Sequence, residues 1–387
     1  MPILAPPRGF RDILPTEARE LRAIERALDE TFASYGYVPI EPPMVERVDG
    51  DSGLERERLM QFLDRDGSLV ALRPDITTAV ARLVAQRYRD AAGALRLSYF
   101  APVFREEPAM LGAEREYDQA GVELVGPSGP LADAEVLALL AESLARCGLR
   151  DATIEIGHVG VVRRAFADLN DDESAAVLDA LRAGDHVGAF RLAADAGMRD
   201  EALGRARNAL SARGRAVESI DIDGVDELRE VIHLARDLFA GEPLWVPNLS
   251  LVPALPYYTG VVFEALHPKS GFPIAAGGRY DLLLGAFGTP RRATGFAISV
   301  PRLHLALFES GWRAARERAL VSLAPAGTRD TAQLAAALRA RGVVVAIGAV
   351  AERAGLEIVD ASVVDHDHVR MADGRVMTAD ELARELA

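Results

Sequence analysis

Apolar residues recur every three to four positions in the long stretches of this chain and every second position in several short ones, predicting helices and strands in mixed order. Leu21, Ile24, Leu28 and Phe32 mark one face of a helix from Thr16 to Tyr35, closed by Gly36. A long helix leading into a strand, here Tyr37 to Ile40, suits a dimer interface and a plain surface helix about equally. Met60 to Leu72 reads as a hairpin with Asp66-Gly67 at its turn. Pro74 ends that hairpin and Thr77 to Arg87 reads as helix. Asp75 and Thr77 therefore fall at a strand-to-helix junction, where backbone N–H groups are free. Either residue is a candidate for capping the helix or for binding.

The centre of the chain alternates most clearly. Leu97 to Arg105 and Arg115 to Val125 read as two strands joined by a polar loop holding Pro108 and Gly112. Arg105, Arg115, Gln119 and Glu123 can project from this ribbon, and the even offset between Gln119 and Glu123 puts both on one face. A fixed guanidinium and two polar groups suit a small zwitterion: the cation takes its carboxylate, Glu and Gln its ammonium or ring nitrogens. A polar outer face on an edge hairpin is the other reading of the same residues.

An amphipathic helix follows from Pro130 to Cys147, then a strand from Ala152 to Gly157. From Val159 to about Phe239 the pattern is helical and reads as an insertion, because strands resume beyond it. Its acidic turn, Asp171-Asp172-Glu173, reads as a solvated face. Strand-like segments then run over Leu249 to Ala265, Ile274 to Gly288 and Ala293 to Leu307. Gly277-Gly278 either lets the backbone approach a ligand or forms a bulge. Tyr257, Tyr258 and Tyr280 are either flat pocket walls with hydroxyl handles or ordinary sheet residues. Past a boundary near Trp312 to Arg318 come strand, helix, two strands, a hairpin around Asp373-Gly374 and a last helix from Thr378. These form a small α/β domain. His366 and His368, at an i, i+2 spacing without a third ligand nearby, read as a polar turn.

Composition narrows the function classes. At 387 residues the chain is long enough for two domains. Its net charge of −14 argues against a large phosphate-backbone footprint. Cys147 is the only cysteine, which excludes an internal disulfide and a Cys-based zinc site and favours a reducing compartment. The first residues lack the basic start and apolar run of a signal peptide, and no apolar run reaches membrane-spanning length. The expectation is a soluble, cytoplasmic protein with no cofactor and no metal.

Six ordered segments resemble the histidyl-tRNA synthetases. G-F-R-D-I-L-P resembles the opening of that family and L-R-P-D-I-T its L-R-P-E-G-T. F-R-E-E-P through Y-D-Q-A-G-V-E resembles class II motif 2, P-Y-Y-T-G and A-A-G-G-R-Y-D-L-L the two histidine-specific signatures, and G-F-A-I-S-V-P-R-L motif 3. The resemblance covers nearly the whole chain. It implies an α+β fold, with a class II aminoacyl-tRNA synthetase-like antiparallel sheet flanked by helices. It also implies a core over residues 1–315 with a helical insertion at about 159–240, and a small domain over 316–387 like a truncated anticodon-binding domain. Carried over by position, it assigns a histidine-like pocket to Asp75, Thr77, Arg105, Gln119, Glu123, Tyr257 and Tyr258, with Asp75 where the family has Glu.

The departures fall on the nucleotide side. Pro253 stands where the synthetases carry an arginine, Pro256 replaces an Asp, Pro301 the Glu of motif 3, and Ala113 a second arginine on the motif 2 loop, while Arg302 survives. Amino-acid activation builds negative charge that positioned cations stabilise, and losing one such group typically costs about a hundredfold in rate. Proline offers neither charge nor N–H. A body that keeps its amino-acid pocket, has lost activation, and ends in an acidic, lysine-poor domain resembles the regulatory subunits of ATP phosphoribosyltransferase. That resemblance implies a non-catalytic role in the first step of L-histidine biosynthesis. The implied partner is a short-form catalytic subunit, with self-association as a dimer through the class II core, histidine as feedback effector, and no tRNA. An active histidyl-tRNA synthetase is the alternative. A paralogue adenylating another molecule would need a replacement cation from Arg279, Arg291 or Arg292, and a scaffold with an empty pocket is a further reading.

Overall fold

The computed structural model describes residues 5–48, 58–106, 114–239, 241, 244–253, 255–269, 271–314, 318–351 and 356–386. The chain forms two compact units, Met1–Ile13 with Glu20–Trp312, and Leu14–Arg19 with Arg313–Ala387.

Helix α1 (Pro15–Ser34) buries Leu21, Ile24, Leu28 and Phe32, the stripe its spacing predicts. Gly36 follows with φ 79°, a left-handed turn that costs glycine little. Short strand β1 (Val38–Pro39) leads to a three-stranded sheet of β2 (Val45–Arg47), β3 (Gln61–Leu63) and β4 (Leu69–Leu72), ordered β2-β4-β3. Helix α2 (Ile76–Arg87) comes next, then the long hairpin β5 (Leu95–Phe104) and β6 (Glu116–Val125). These are paired antiparallel with Glu123 opposite Leu97 and Gln119 opposite Ala101. Pro108, Gly112 and Ala113 lie outside the described residues.

Helix α3 (Pro130–Arg146) buries most of its residues, with Pro130 at its start, where a missing N–H costs nothing. Strand β7 (Thr153–His158) precedes helices α4 (Val159–Ala165), α5 (Asp171–Arg182), α6 (His186–Asp195), α7 (Asp200–Ser211) and α8 (Val225–Leu238). Residues from α4 to α7 enclose their own core around Phe166, Leu178, Leu181 and Leu203. The acidic turn has a local task that its composition hides. Glu173 closes a capping box with Asn170 at the start of α5.

Strand β8 (Leu244–Pro247) then pairs parallel with β7, before β9 (Val261–Leu266), β10 (Ala275–Arg279), α9 (Leu283–Ala286), β11 (Ala293–Ser299) and α10 (Val300–Glu309). The described part of the Leu249 to Tyr258 segment is loop, contrary to its strand-like composition. Asn248 bends it by accepting from Ser250 N at 3.0 Å and Ser250 Oγ at 2.7 Å, and Pro253 and Pro256 cannot donate to a ladder.

The eight-stranded sheet runs β1-β5-β6-β11-β10-β9-β7-β8, antiparallel except at its two edges. One face carries Val122, Leu124, Phe296, Ile298, Phe263 and Ile154 into the main core with α1, α3 and α8. The opposite face carries Leu97, Tyr99, Ala101 and Val103 against Ile76, Val80 and Val84 of α2 and against Tyr258 and Tyr280. This second face positions the site. The α+β sequence expectation is met by this sheet and its flanking helices.

The second unit contains β12 (Leu320–Ala324), α11 (Thr328–Ala340), β13 (Val344–Ile347), β14 (Ile358–Val363), β15 (His368–Met371), β16 (Val376–Thr378) and α12 (Ala379–Glu385). Its sheet runs β13-β12-β14-β15-β16 over a core of Val321, Leu323, Leu334, Leu338 and Leu382. His368 begins β15 with Nδ1 3.0 Å from Asp365, an exposed turn contact. Among the described residues no helix is long and apolar enough to cross a membrane, and no cluster of His, Cys, Asp and Glu is arranged to hold a metal.

Candidate functional site

The site forms because the pleat places every second residue of β5 and β6 on the same side of the sheet. On β6 these are Gln119, Gly121 and Glu123; opposite them stand Ala101, Tyr99 and Leu97. Gly295 of β11 faces Glu123, and a Cβ there would collide with the Glu123 carboxylate. A Cβ on Gly121 would likewise strike the Tyr99 hydroxyl. Glycine at both positions makes room for the Glu123 carboxyl and the Tyr99 hydroxyl on this face.

Glu123 is 1% exposed. Its Oε2 accepts a hydrogen bond from the Tyr280 hydroxyl, whereas Oε1 has no partner among the described residues. Burial pushes its pKa up from 4.5 to about 8, against the hydrogen bond from Tyr280 and the neighbouring Thr77 hydroxyl, and nearby Asp75 adds to the rise. The carboxyl is therefore held largely neutral at pH 7. Tyr99, Tyr257, Tyr258 and Tyr280 are all raised above the usual tyrosine range by burial and then by acidic neighbours, so their hydroxyls stay protonated.

The tyrosines form an aromatic wall. The Tyr257 ring centroid lies 4.8 Å from that of Tyr258 and 5.8 Å from that of Tyr280. Thr77 lies beside Tyr99, Glu123 and Tyr257. Asp75 realises the capping reading: it is the N-cap of α2, and its Oδ2 accepts from Thr78 N at 3.1 Å. It also faces Tyr257, Tyr258 and Glu123 closely enough to shape their protonation. Thus Asp75, Thr77, Glu123, Tyr257 and Tyr258 come together.

Two residues sit further out. Gln119 is buried on the same face, its Oε1 without a partner among the described residues, about 13 Å along the strand from Glu123. Arg105 follows β5 on the Tyr99 side. Its Nε donates to the Pro74 carbonyl at 2.8 Å, and its guanidinium lies 5.8 Å from the Tyr117 ring centre. Arg115, also on the ribbon, donates to the Arg8 carbonyl at 3.2 Å and pairs with Glu106.

Sequence reasoning missed Tyr99, whose buried hydroxyl has no partner among the described residues. The alternation that Tyr99 shares with Arg105 was a signal in the sequence, whereas its place opposite Gly121 came only with the strand pairing. Of Gly277-Gly278, the sheet makes the use. A Cβ on either would strike a neighbouring strand's carbonyl, and the β9–β10 pairing continues through both without a bulge.

Two of the three named arginines are engaged elsewhere. Arg279 is buried against Asp133, with contacts of 2.8 and 2.9 Å, and reaches Asp281 at 3.1 Å. Burial works against its charge, but the two carboxylates outweigh that effect and raise its pKa. Arg291 donates to the Gly93 carbonyl at 2.6 Å, and Arg292 is exposed just before β11. Pro253 is buried in the β8–β9 loop, and Pro301 occupies the first turn of α10. Arg302 donates to the Pro273 carbonyl at 2.9 Å and lies over Phe272.

A family model described as Histidyl-tRNA synthetase matches residues 9–303. The chain is 40% identical over 358 residues to an ATP phosphoribosyltransferase regulatory subunit of Symbiobacterium thermophilum, covering 88% of this chain and 90% of that protein. It is 38% identical over 319 residues to one from Desulforamulus reducens, covering 79% of each. A crystal structure from Bacillus halodurans C, described as an ATP phosphoribosyltransferase regulatory subunit/histidyl-tRNA synthetase, superimposes with a TM-score of 0.81 at 31% identity. That match covers 93% of this chain and 98% of the other. With a histidyl-tRNA synthetase family match over residues 9–303 and these relatives over most of their length, the chain belongs to the family of ATP phosphoribosyltransferase regulatory subunits.

Proposed function

We propose that this chain, as a non-catalytic regulatory subunit, senses histidine in the Glu123 pocket and transmits its occupancy to a short-form ATP phosphoribosyltransferase catalytic subunit. The observation that carries the reading is the pair Glu123 Oε1 and Tyr99 Oη, buried polar atoms without partners among the described residues, with Gln119 Oε1 a third such atom further along the same face. Leaving such groups unsatisfied typically costs about 1–3 kcal/mol each, and a polar ligand recovers that cost. An imidazole N–H would donate to Glu123 Oε1, with Tyr99 serving the other ring nitrogen. Tyr257 and Tyr258 would flank the ring. Gln119, Asp75 and Thr77 would receive the ammonium, and Arg105 the carboxylate.

Feedback in this scheme is a coupling free energy between the pocket and the catalytic subunit's active site, reached through a hetero-oligomer built on dimers of the class II core. Amino-acid activation is not part of the role. Proline at 253 supplies no cation, and the buried Arg279 is committed to Asp133 and Asp281.

Co-expression with the short catalytic subunit tests the proposal. Phosphoribosyl transfer should require this chain, and histidine should inhibit it. Glu123→Ala should abolish the inhibition while leaving the activated rate in place. Titration calorimetry on the isolated chain should detect histidine, and a silent titration would refute the sensor role. Robust histidine-dependent pyrophosphate exchange with ATP would instead establish a working synthetase.

A further inference from the structure

We propose that the groove between the helical insertion and the β8–β9 loop binds a free nucleoside phosphate, at a site separate from the Glu123 pocket. The groove has a volume of about 590 Å³, within the range of small-molecule sites and large enough for one nucleotide. Its two sides come from distant parts of the chain. Helices α6 and α7 form one side, and Asn248 and Ser250 the other.

The apolar lining is Val187, Phe190 and Leu210. Val187 is 83% exposed, a large apolar residue left at the rim. Phe190 packs against Phe166, with ring centroids 5.7 Å apart. These surfaces suit a flat heteroaromatic ring.

The charged lining is Arg207 and Arg213, with His186 at the edge. Arg207 has no carboxylate partner among the described residues; its guanidinium stacks 5.1 Å from the Phe190 ring centre. That contact presets the head group and leaves its N–H donors for an anion. Arg213 is ion-paired with Glu155, whose other oxygen accepts from Asn248 Nδ2 at 2.6 Å. Asp185 is occupied in capping α6 through Gly188 N at 2.7 Å. The uncompensated charge in the groove is therefore that of Arg207, beside an aromatic ring. This combination recognises a base and a phosphate in one molecule. One nucleotide, rather than a nucleic-acid strand, fits both the volume and the chain's net charge of −14.

The test is calorimetry on the full-length chain with AMP, ATP, adenosine, inorganic phosphate and a short single-stranded RNA. AMP and ATP should bind, and adenosine and phosphate should each bind at least tenfold more weakly. Arg207→Gln and Val187→Glu, both changes at exposed positions, should weaken AMP binding about tenfold or more, with circular dichroism and histidine binding unchanged. Arg302→Gln in α10 should leave AMP binding intact. No nucleotide binding at millimolar concentration would overturn the proposal. So would loss in Arg302→Gln but not in Arg207→Gln, which would place the nucleotide beside α10, or binding of the RNA alone.

Discussion

Replacing Glu123 with glutamine should alter how stability depends on pH. In the folded chain this carboxyl titrates near 8 because it is buried, against 4.5 for an ordinary glutamate. Between those values the folded chain holds a proton that the unfolded chain has released. Stability therefore falls as pH rises through that window, and the contribution present below pH 4.5 is gone above pH 8. At about 1.4 kcal/mol per pH unit the loss approaches about 3 kcal/mol by pH 7 and about 5 kcal/mol by pH 8.5. Glutamine stays neutral throughout and still offers Tyr280 an acceptor. Urea denaturation of both proteins at pH 5.5, 6.5, 7.5 and 8.5 measures the difference. Glu123→Gln should gain on the native chain steadily with pH, by a few kcal/mol across the series. A difference that stays flat with pH would show that Glu123 is already ionised in the fold, and would remove the neutral carboxyl from the pocket's chemistry.

Three further outcomes are expected. Gly295→Ala drives a methyl into the Glu123 carboxylate and the Val122 carbonyl. It should cost about 1–3 kcal/mol in thermal or urea melts and weaken histidine binding more than a surface substitution does. Asp133→Ala leaves Arg279 buried with only Asp281, and should destabilise by about 3–5 kcal/mol in urea titration, whereas Asp133→Ala with Arg279→Met should recover part of that loss. Asp75→Ala removes the N-cap of α2, at about 1 kcal/mol in thermal melts. If Asp75 also meets the ligand, its effect on histidine affinity should exceed its effect on stability.

The order of helices and strands was legible in the chain because burial imposes a period on each element. The stripe of α1, the alternation of β5 and β6, and the turn glycines at 36 and 67 are local consequences of backbone geometry. The even spacing of Gln119 and Glu123 likewise established that they share a face. Tertiary packing decided the rest. The stretch Leu249 to Tyr258 has strand composition yet forms loop where it is described, since an Asn248 turn and two prolines outweigh propensity. Tyr99 entered the site only when β5 was laid against Gly121, a pairing that no local pattern encodes. Nor could residue type reveal that Arg279 is locked to Asp133, 146 positions away, or that Glu123 stays neutral. Both depend on how much water the surrounding chain excludes, and that is a property of the assembled fold.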